Sequence, residues 1–276
     1  MAIKNKLILL VVFIGRCSFA QVQQDGFIKQ IIDLPNQAEV PSYIYHQYSS
    51  EKIANSIVER IREKRDFNSN FQPYFDFKDN TKILLQFEEK YITSIQENCF
   101  LNLHQTGGGN GANEPEMRAK IEDENAGLKL EKVYVPGPEN IVNELRPKYA
   151  YVQFTKSKPG LTQSKFWVSY GNVFAVLKDE IKQRSTFTAG DSFGNVALHG
   201  HAHSFDWHGS KSDRVEPYWE AQIWGKLCFG DVDYFLVNCP TMKPITQTGM
   251  IELKRVGKPI VDCQVNEAGA LMPFNP

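Results

Sequence analysis

The first twenty residues constrain this chain most. Lys4 and Lys6 lead into an apolar run from Leu7 to Ile14, and Ser18-Phe19-Ala20 stand before Gln21. A basic start, a short apolar core and small residues at a cut site are the pattern of a cleavable secretory signal peptide. A spanning helix needs about 20 apolar residues, and Gly15-Arg16 interrupts this one. Residues 1–20 are therefore expected to leave, and the remainder of the chain is expected to fold as one soluble domain. Its address is secreted or periplasmic, with no membrane attachment after cleavage.

Cleavage removes Lys4, Lys6 and Arg16, which takes the basic count from 31 to 28 against 32 acids and leaves a net charge of -4. No basic stripe of the kind a phosphate backbone demands is present, so nucleic acid is not expected as a partner. About 255 residues remain, enough for one large domain with a sizeable core. Cys17 leaves with the signal, while Cys99, Cys228, Cys239 and Cys263 stay. An even number in a chain bound for an oxidising compartment predicts one or two disulfides, with the pairing open; buried free thiols are the alternative.

Helix signals come first. Ile53, Ile57 and Ile61 recur over Ser50-Arg65, with Ser50 as N-cap, and Ile83, Leu84, Phe87, Tyr91 and Ile95 form a helical stripe over Lys82-Glu97. Residues 21–98 are thus expected to be a helical N-terminal region. Phe100 to His104 alternates like a short strand and enters the glycine loop Thr106-Gly107-Gly108-Gly109-Asn110-Gly111. The polar stretch after it reads as surface loop with a short helix at Glu114-Asp123. From Lys148 the texture is β-rich, with strands expected at Tyr149-Phe154, within Phe166-Leu177 (two, or one bent at Gly171), and at Glu220-Leu227, Tyr234-Asn238 and Met250-Lys254. Helices before strands predict an α+β fold with a mostly antiparallel or split sheet, residues 99–276 forming its β-rich part.

Three constellations carry candidate chemistry. His199-Gly200-His201-Ala202-His203, with His208 beyond, places imidazoles two apart; extended, they would hold zinc or copper with Asp206 as a further ligand. The alternative is a surface loop with incidental metal affinity. In Tyr218-Trp219-Glu220-Ala221-Gln222-Ile223-Trp224-Gly225, Glu220 and Gln222 fall on one face of a strand walled by aromatics. A carboxylate there is suited to stabilise a developing oxocarbenium ion, or else it is an edge residue facing water. Arg184-Ser185-Thr186-Phe187-Thr188-Ala189-Gly190-Asp191-Ser192 offers hydroxyls for a turn, or for hydrogen bonds to a carboxylate and a ribose. The glycine loop matches neither the P-loop nor GxGxxG spacing.

Taken in order, the TGGGNG loop, RPKYAYVQF, SYGNVFAVL, RSTFTAGDS and YWEAQIWG resemble an uncharacterised bacterial domain-of-unknown-function family over about residues 100–240. That family in turn resembles the ADP-ribosyltransferase superfamily. The resemblance implies N-terminal helices packed on a split, mostly antiparallel sheet around an NAD-binding cleft. It implies Glu220 as the catalytic glutamate, with Ser185 and Thr186 as the Ser-Thr element that supports it. His104, or alternatively His46, takes the first-strand position that binds the adenosine ribose. With Thr106, Gly107, Asn110 and Gln222 these form the expected NAD-binding set, NAD being the substrate and an unknown protein the acceptor.

The expected function is an exported transferase moving ADP-ribose from NAD to a protein, in the manner of an effector or toxin. Two alternatives stay open: an exported metal-binding or metal-dependent protein using His199, His201, His203 and His208, and a catalytically inactive binding module on the same fold.

Overall fold

The computed structural model describes residues 50–63, 77–106, 115–126, 141–155, 166, 168–193, 198, 219–267 and 269–274. The expected signal peptide, His46, Gly107, Asn110 and His199 to His208 lie outside these residues. The chain runs through α1 (Ser50–Ile61), α2 (Phe77–Asn80), β1 (Thr81–Phe87), α3 (Ile92–Asn98), α4 (Leu103–Thr106), α5 (Pro115–Ala126), α6 (Ile141–Leu145), β2 (Lys148–Phe154), β3 (Val173–Leu177), β4 (Ser185–Ala189), β5 (Trp219–Ile223), β6 (Val232–Val237), α7 (Gln247–Val256), β7 (Ile260–Val265) and β8 (Leu271–Pro273). The strands form one eight-stranded sheet in the order β4-β5-β2-β1-β3-β6-β7-β8. All pairings are antiparallel except β6 with β7, which α7 connects as a crossover. The fold is mixed α and β around a mostly antiparallel sheet, as the order of signals predicts.

Two expected elements change type, and each has a local reason. Lys82-Glu97 is not one helix: β1 and α3 share it, joined by a 3-10 turn at Glu89–Tyr91. The run Ile83-Leu84-Leu85-Gln86-Phe87 satisfies a helical stripe and a buried strand equally, and tertiary pairing decides it. Tyr91, a member of the supposed stripe, is 47% exposed. The stretch expected to be helical therefore supplies an inner strand of the sheet. Met250-Lys254, expected as a strand, lies inside α7, where the Gly249 N–H donates to Thr246 Oγ1 at the N-cap and Gly257 closes the helix at φ 73°.

Phe100-His104 is a third correction. Phe100 makes an isolated bridge to Leu227, and the chain then turns into α4. Asn102 explains the turn: its Oδ1 accepts from the Gln105 N–H at 3.0 Å, while Gln105 Oε1 accepts from the Asn102 N–H at 3.2 Å. This is the reciprocal capping box, in an Asn-x-x-Gln form. In the Phe166-Leu177 stretch the described strand is Val173–Leu177, preceded by a 3-10 turn at Val168–Tyr170 and by Gly171. The short helix expected at Glu114-Asp123 is α5. In α1 the buried face is Ala54, Ile57, Val58 and Ile61, spaced for one side of a helix.

Register fixes which side chains share a face, because residues directly opposite in antiparallel strands point the same way. One face is continuous and apolar: Ile83, Leu85, Val152, Phe154, Ala175, Phe187, Ala221, Ile223 and Phe235 pack with Ile92 and Ile95 of α3 and Leu253 of α7. The other face is divided. Its β1-β3-β6-β7-β8 side is apolar, with Leu84, Phe174, Val176, Leu236 and Leu271. Its β2-β5-β4 side carries Tyr149, Glu220, Gln222, Thr186 and Thr188 on paired positions. Helix α5 lies against that polar half, and the candidate chemistry sits between them.

The cysteines pair as Cys99–Cys228 and Cys239–Cys263, which agrees with the predicted disulfides and with an extracellular location. No helix among the described residues is long and apolar enough to cross a membrane.

Candidate functional site

Glu220 sits on β5 opposite Thr188 of β4 and Tyr151 of β2, with its side chain 3% exposed. Its Oε1 accepts from Gln222 Nε2 at 2.8 Å and from the Ser192 backbone N–H at 3.3 Å. The amide of Gln222 is oriented by a directional chain. Trp224 Nε1 donates to Thr186 Oγ1 at 3.0 Å, and that hydroxyl donates to Gln222 Oε1 at 3.1 Å. The Gln222 nitrogen is left facing Glu220 and Thr188 Oγ1, the latter at 3.0 Å, and Thr188 donates onward to the Gly190 carbonyl at 2.9 Å. Every polar group in this row has a partner, as burial on a sheet face requires.

Burial pushes the Glu220 carboxyl above the ordinary carboxylate range, and the Asp191 charge pushes the same way; the Ser192 side-chain hydrogen bond, the Arg118 charge and the Gln222 side chain oppose them. A raised carboxyl beside a cation and two hydrogen-bond donors is an arrangement suited to acid-base or charge-stabilising chemistry. Tyr170, partly exposed, stands near enough that burial, then Asp191 and Glu220, raise its phenol.

A second polar cluster lies under α5. Glu122 receives His104 Nε2 at 3.0 Å and Arg146 Nη1 at 3.1 Å on one oxygen, and Arg118 Nε at 3.4 Å on the other. The Tyr149 hydroxyl donates to that second oxygen in a short hydrogen bond. Burial works to raise the Glu122 carboxyl, but the His104 hydrogen bond and the Arg146 charge hold it below the ordinary range. Since an ionised carboxylate only accepts, His104 carries a proton on Nε2. Arg146, fully buried, also grips Asp123 through Nη1 at 3.1 Å and Nη2 at 3.3 Å. The two clusters meet at Arg118, whose guanidinium lies 4.1 Å from the Tyr149 ring centroid and whose Nη2 donates to Ser192 Oγ at 3.0 Å.

Of the residues expected from sequence, Glu220, Gln222 and Thr186 are brought together. His104 reaches the same region through Glu122. Thr106 is an exposed residue whose hydroxyl closes its own turn, donating to the Asn102 carbonyl at 3.1 Å. Ser185 is not part of the group: it pairs opposite Ile223, on the apolar face, and its hydroxyl donates to the Ile181 carbonyl at 2.8 Å. The alternation of a strand puts Ser185 and Thr186 on opposite sides of the sheet, so the adjacent pair cannot support one carboxylate. Thr188, two residues on, takes the place beside Thr186. Sequence reasoning does not find Arg118, Glu122 and Tyr149 as members of a site. Their one signal is the i, i+4 spacing of Arg118 and Glu122 in a stretch polar enough to read as surface loop.

Among the described residues, no group of three or more His, Cys, Asp or Glu side chains is placed to hold a metal ion. No family model matches the chain, and no curated protein does.

Proposed function

We propose that the chain is an exported ADP-ribosyltransferase-like protein that moves ADP-ribose from NAD to a protein acceptor, with Glu220 as the acting carboxylate. The observation that carries this reading is the seating of Glu220. It is a single buried carboxylate on a sheet strand, aligned by Gln222 and by the Ser192 N–H, with the Thr186-Gln222-Thr188 row behind it. Two of the motifs that carry the resemblance, RSTFTAGDS and YWEAQIWG, fall on β4, on the Gly190-Ser192 turn and on β5, the three segments that build this seat. The Ser-Thr support is reassigned to Thr186 and Thr188, because Ser185 faces the apolar core.

In the reaction, the bond between ribose C1′ and nicotinamide breaks, the pyridine leaves with the bonding pair, and the acceptor nucleophile bonds to C1′ and gives its proton to solvent. The ionised Glu220 accepts a hydrogen bond from a ribose hydroxyl and offsets the positive charge that develops on the ring. The test is NAD hydrolysis, or transfer of labelled ADP-ribose, by the purified mature protein. Glu220→Gln abolishes turnover without lowering the melting temperature. Full activity in that variant removes Glu220 from the role.

The burial of the same carboxylate favours a second reading, an inactive binding module. A glutamate 3% exposed and raised by its surroundings is held toward its neutral form, which cannot offset a cation. Calorimetric titration with NAD separates the readings: binding without turnover supports the module.

A further inference from the structure

Ser192 is held at all three of its polar groups. Its hydroxyl accepts from Arg118 Nη2 at 3.0 Å, its carbonyl accepts from Asn125 Nδ2 at 2.7 Å, and its N–H donates to Glu220 Oε1 at 3.3 Å. Arg118 and Asn125 both belong to α5, seven residues and about two turns apart, so they share one side of that helix. The strands hold the start of the 190–192 turn, through Thr188 Oγ1 on the Gly190 carbonyl and the Gly190–Trp219 bridge, and α5 holds its end at Ser192. Arg118 is fixed in turn by Tyr149 at 2.9 Å and by Glu122, and Glu122 by His104 and Arg146. A planar fork whose Nε and Nη2 point at two different partners is a rigid strut in a way a lysine is not.

We propose that Arg118 is the positioning residue of the Glu220 site: by gripping Ser192 it aims the Ser192 N–H at the Glu220 carboxylate and places a fixed positive charge beside it. This rests on the reading of Glu220 as the acting carboxylate. Among the described residues, the charged and titratable groups that bear on Glu220 include Arg118 from α5, Asp191 from the turn after β4, Tyr149 from β2 and Tyr170 from the 3-10 turn before β3. Arg118 is the one cation among them and opposes Asp191. Ser192, whose hydroxyl Arg118 holds, and the Gln222 side chain also favour the ionised carboxylate.

The experiment compares the mature protein with Arg118→Gln, Arg118→Lys and Ser192→Ala in two assays. The first is a carboxyl-carbon NMR titration of Glu220, its resonance assigned by its loss in Glu220→Gln. Arg118→Gln moves the Glu220 midpoint up by about one pH unit, the low end of what an opposite charge within about 4–6 Å gives. Arg118→Lys keeps most of the wild-type midpoint because the charge remains. Ser192→Ala also moves it up, because it removes both the Ser192 side-chain hydrogen bond and the group that Arg118 grips. The second assay is NAD turnover. Arg118→Lys lowers kcat on the order of 10²-fold with little change in KM, because the aim is lost while the charge is kept.

An unchanged Glu220 midpoint in a folded Arg118→Gln protein overturns the proposal. If that variant does not fold, Ser192→Ala decides, and an unmoved midpoint there overturns it equally. A midpoint that moves as expected in a protein that never turns over NAD leaves Arg118 as the residue that sets Glu220 and refutes the transferase reading alone.

Discussion

Cutting the Cys99–Cys228 bond is expected to cost the fold more than cutting Cys239–Cys263, and the margin can be worked out. The first closes a loop of 129 residues and the second a loop of 24. The two loops do not overlap, so each restrains the unfolded chain independently. On the chain-entropy relation the longer is worth about 5 kcal/mol and the shorter about 3.5 kcal/mol. Packing narrows the gap: Cys239 and Cys263 are buried in the apolar half of the sheet while Cys99 and Cys228 are half-buried, so removing the former pair also loses about 0.5 kcal/mol or more of contact. Urea unfolding of the two double-alanine variants therefore separates them by about 1 kcal/mol. Freeing the long loop also lets the denatured chain expand further, so the m value rises more in Cys99→Ala/Cys228→Ala. Equal m values together with a larger loss in the Cys239 and Cys263 variant would falsify the loop-entropy account.

Two further perturbations test the frame around the site. Lys148 is almost fully buried, its Nζ donating to the carbonyls of Glu144 at 2.9 Å and Gly225 at 2.6 Å, and burial pulls its ammonium down to about 7. A base whose folded pKa lies below its unfolded one binds fewer protons folded, so stability rises with pH between about 7 and about 10.5, by up to about 1.4 kcal/mol per unit. Lys148→Met flattens that slope in urea titrations at stepped pH, and an unaltered slope disproves the assignment. Gly171 has φ 127°, and a Cβ there would lie 2.1 Å from the Phe87 carbonyl carbon and oxygen. Gly171→Ala is expected to destabilise by about 2–6 kcal/mol, combining backbone strain with overpacking against a main chain that cannot swing aside. Thermal unfolding within about 2 °C of wild type would show that the 170–172 turn yields.

What could be read in the sequence was what periodicity encodes, and what could not was which neighbour a segment meets. Helix α1 was legible because its buried residues recur at helical spacing, although Ser50, expected as its N-cap, is its first residue. Strands β2 and β5 were legible because alternation and aromatic content agree. The run from Ile83 to Phe87 is apolar except at Gln86 because β1 has strands on both flanks, and such a run carries no clear period of its own. The Glu220-Gln222 face came directly from alternation. The same rule, applied to Ser185 and Thr186, separates them as soon as β4 is known to be a strand and not a turn. Arg118 and Glu122 stayed hidden for the opposite reason: a buried helix face made of Arg118, Glu122, Asp123 and Asn125 has the composition of a solvated one. Their partners, Tyr149, His104, Arg146 and Ser192, come from other segments and explain why those residues are inside.

The disulfides and the site are joined by a short run of bonds. Cys228 opens the turn whose Asp231 carboxylate accepts from the Cys228 N–H at 2.8 Å and from Arg184 Nη2 at 3.1 Å. Arg184, 3% exposed, donates through Nη1 to the Trp224 carbonyl at 2.8 Å, and its own carbonyl accepts from the Trp224 N–H at 2.9 Å. Trp224 then donates from its indole to Thr186, the first member of the row that orients Gln222 toward Glu220. A buried guanidinium is costly unless both its charge and its donors are met, so Arg184 depends on Asp231 staying where the turn puts it. The turn is anchored at Cys228 by the covalent bond to Cys99 and, one residue earlier, by the Phe100–Leu227 bridge. The Cys99–Cys228 bond therefore bears on more than stability: it fixes the end of β5 from which the Glu220 row is oriented.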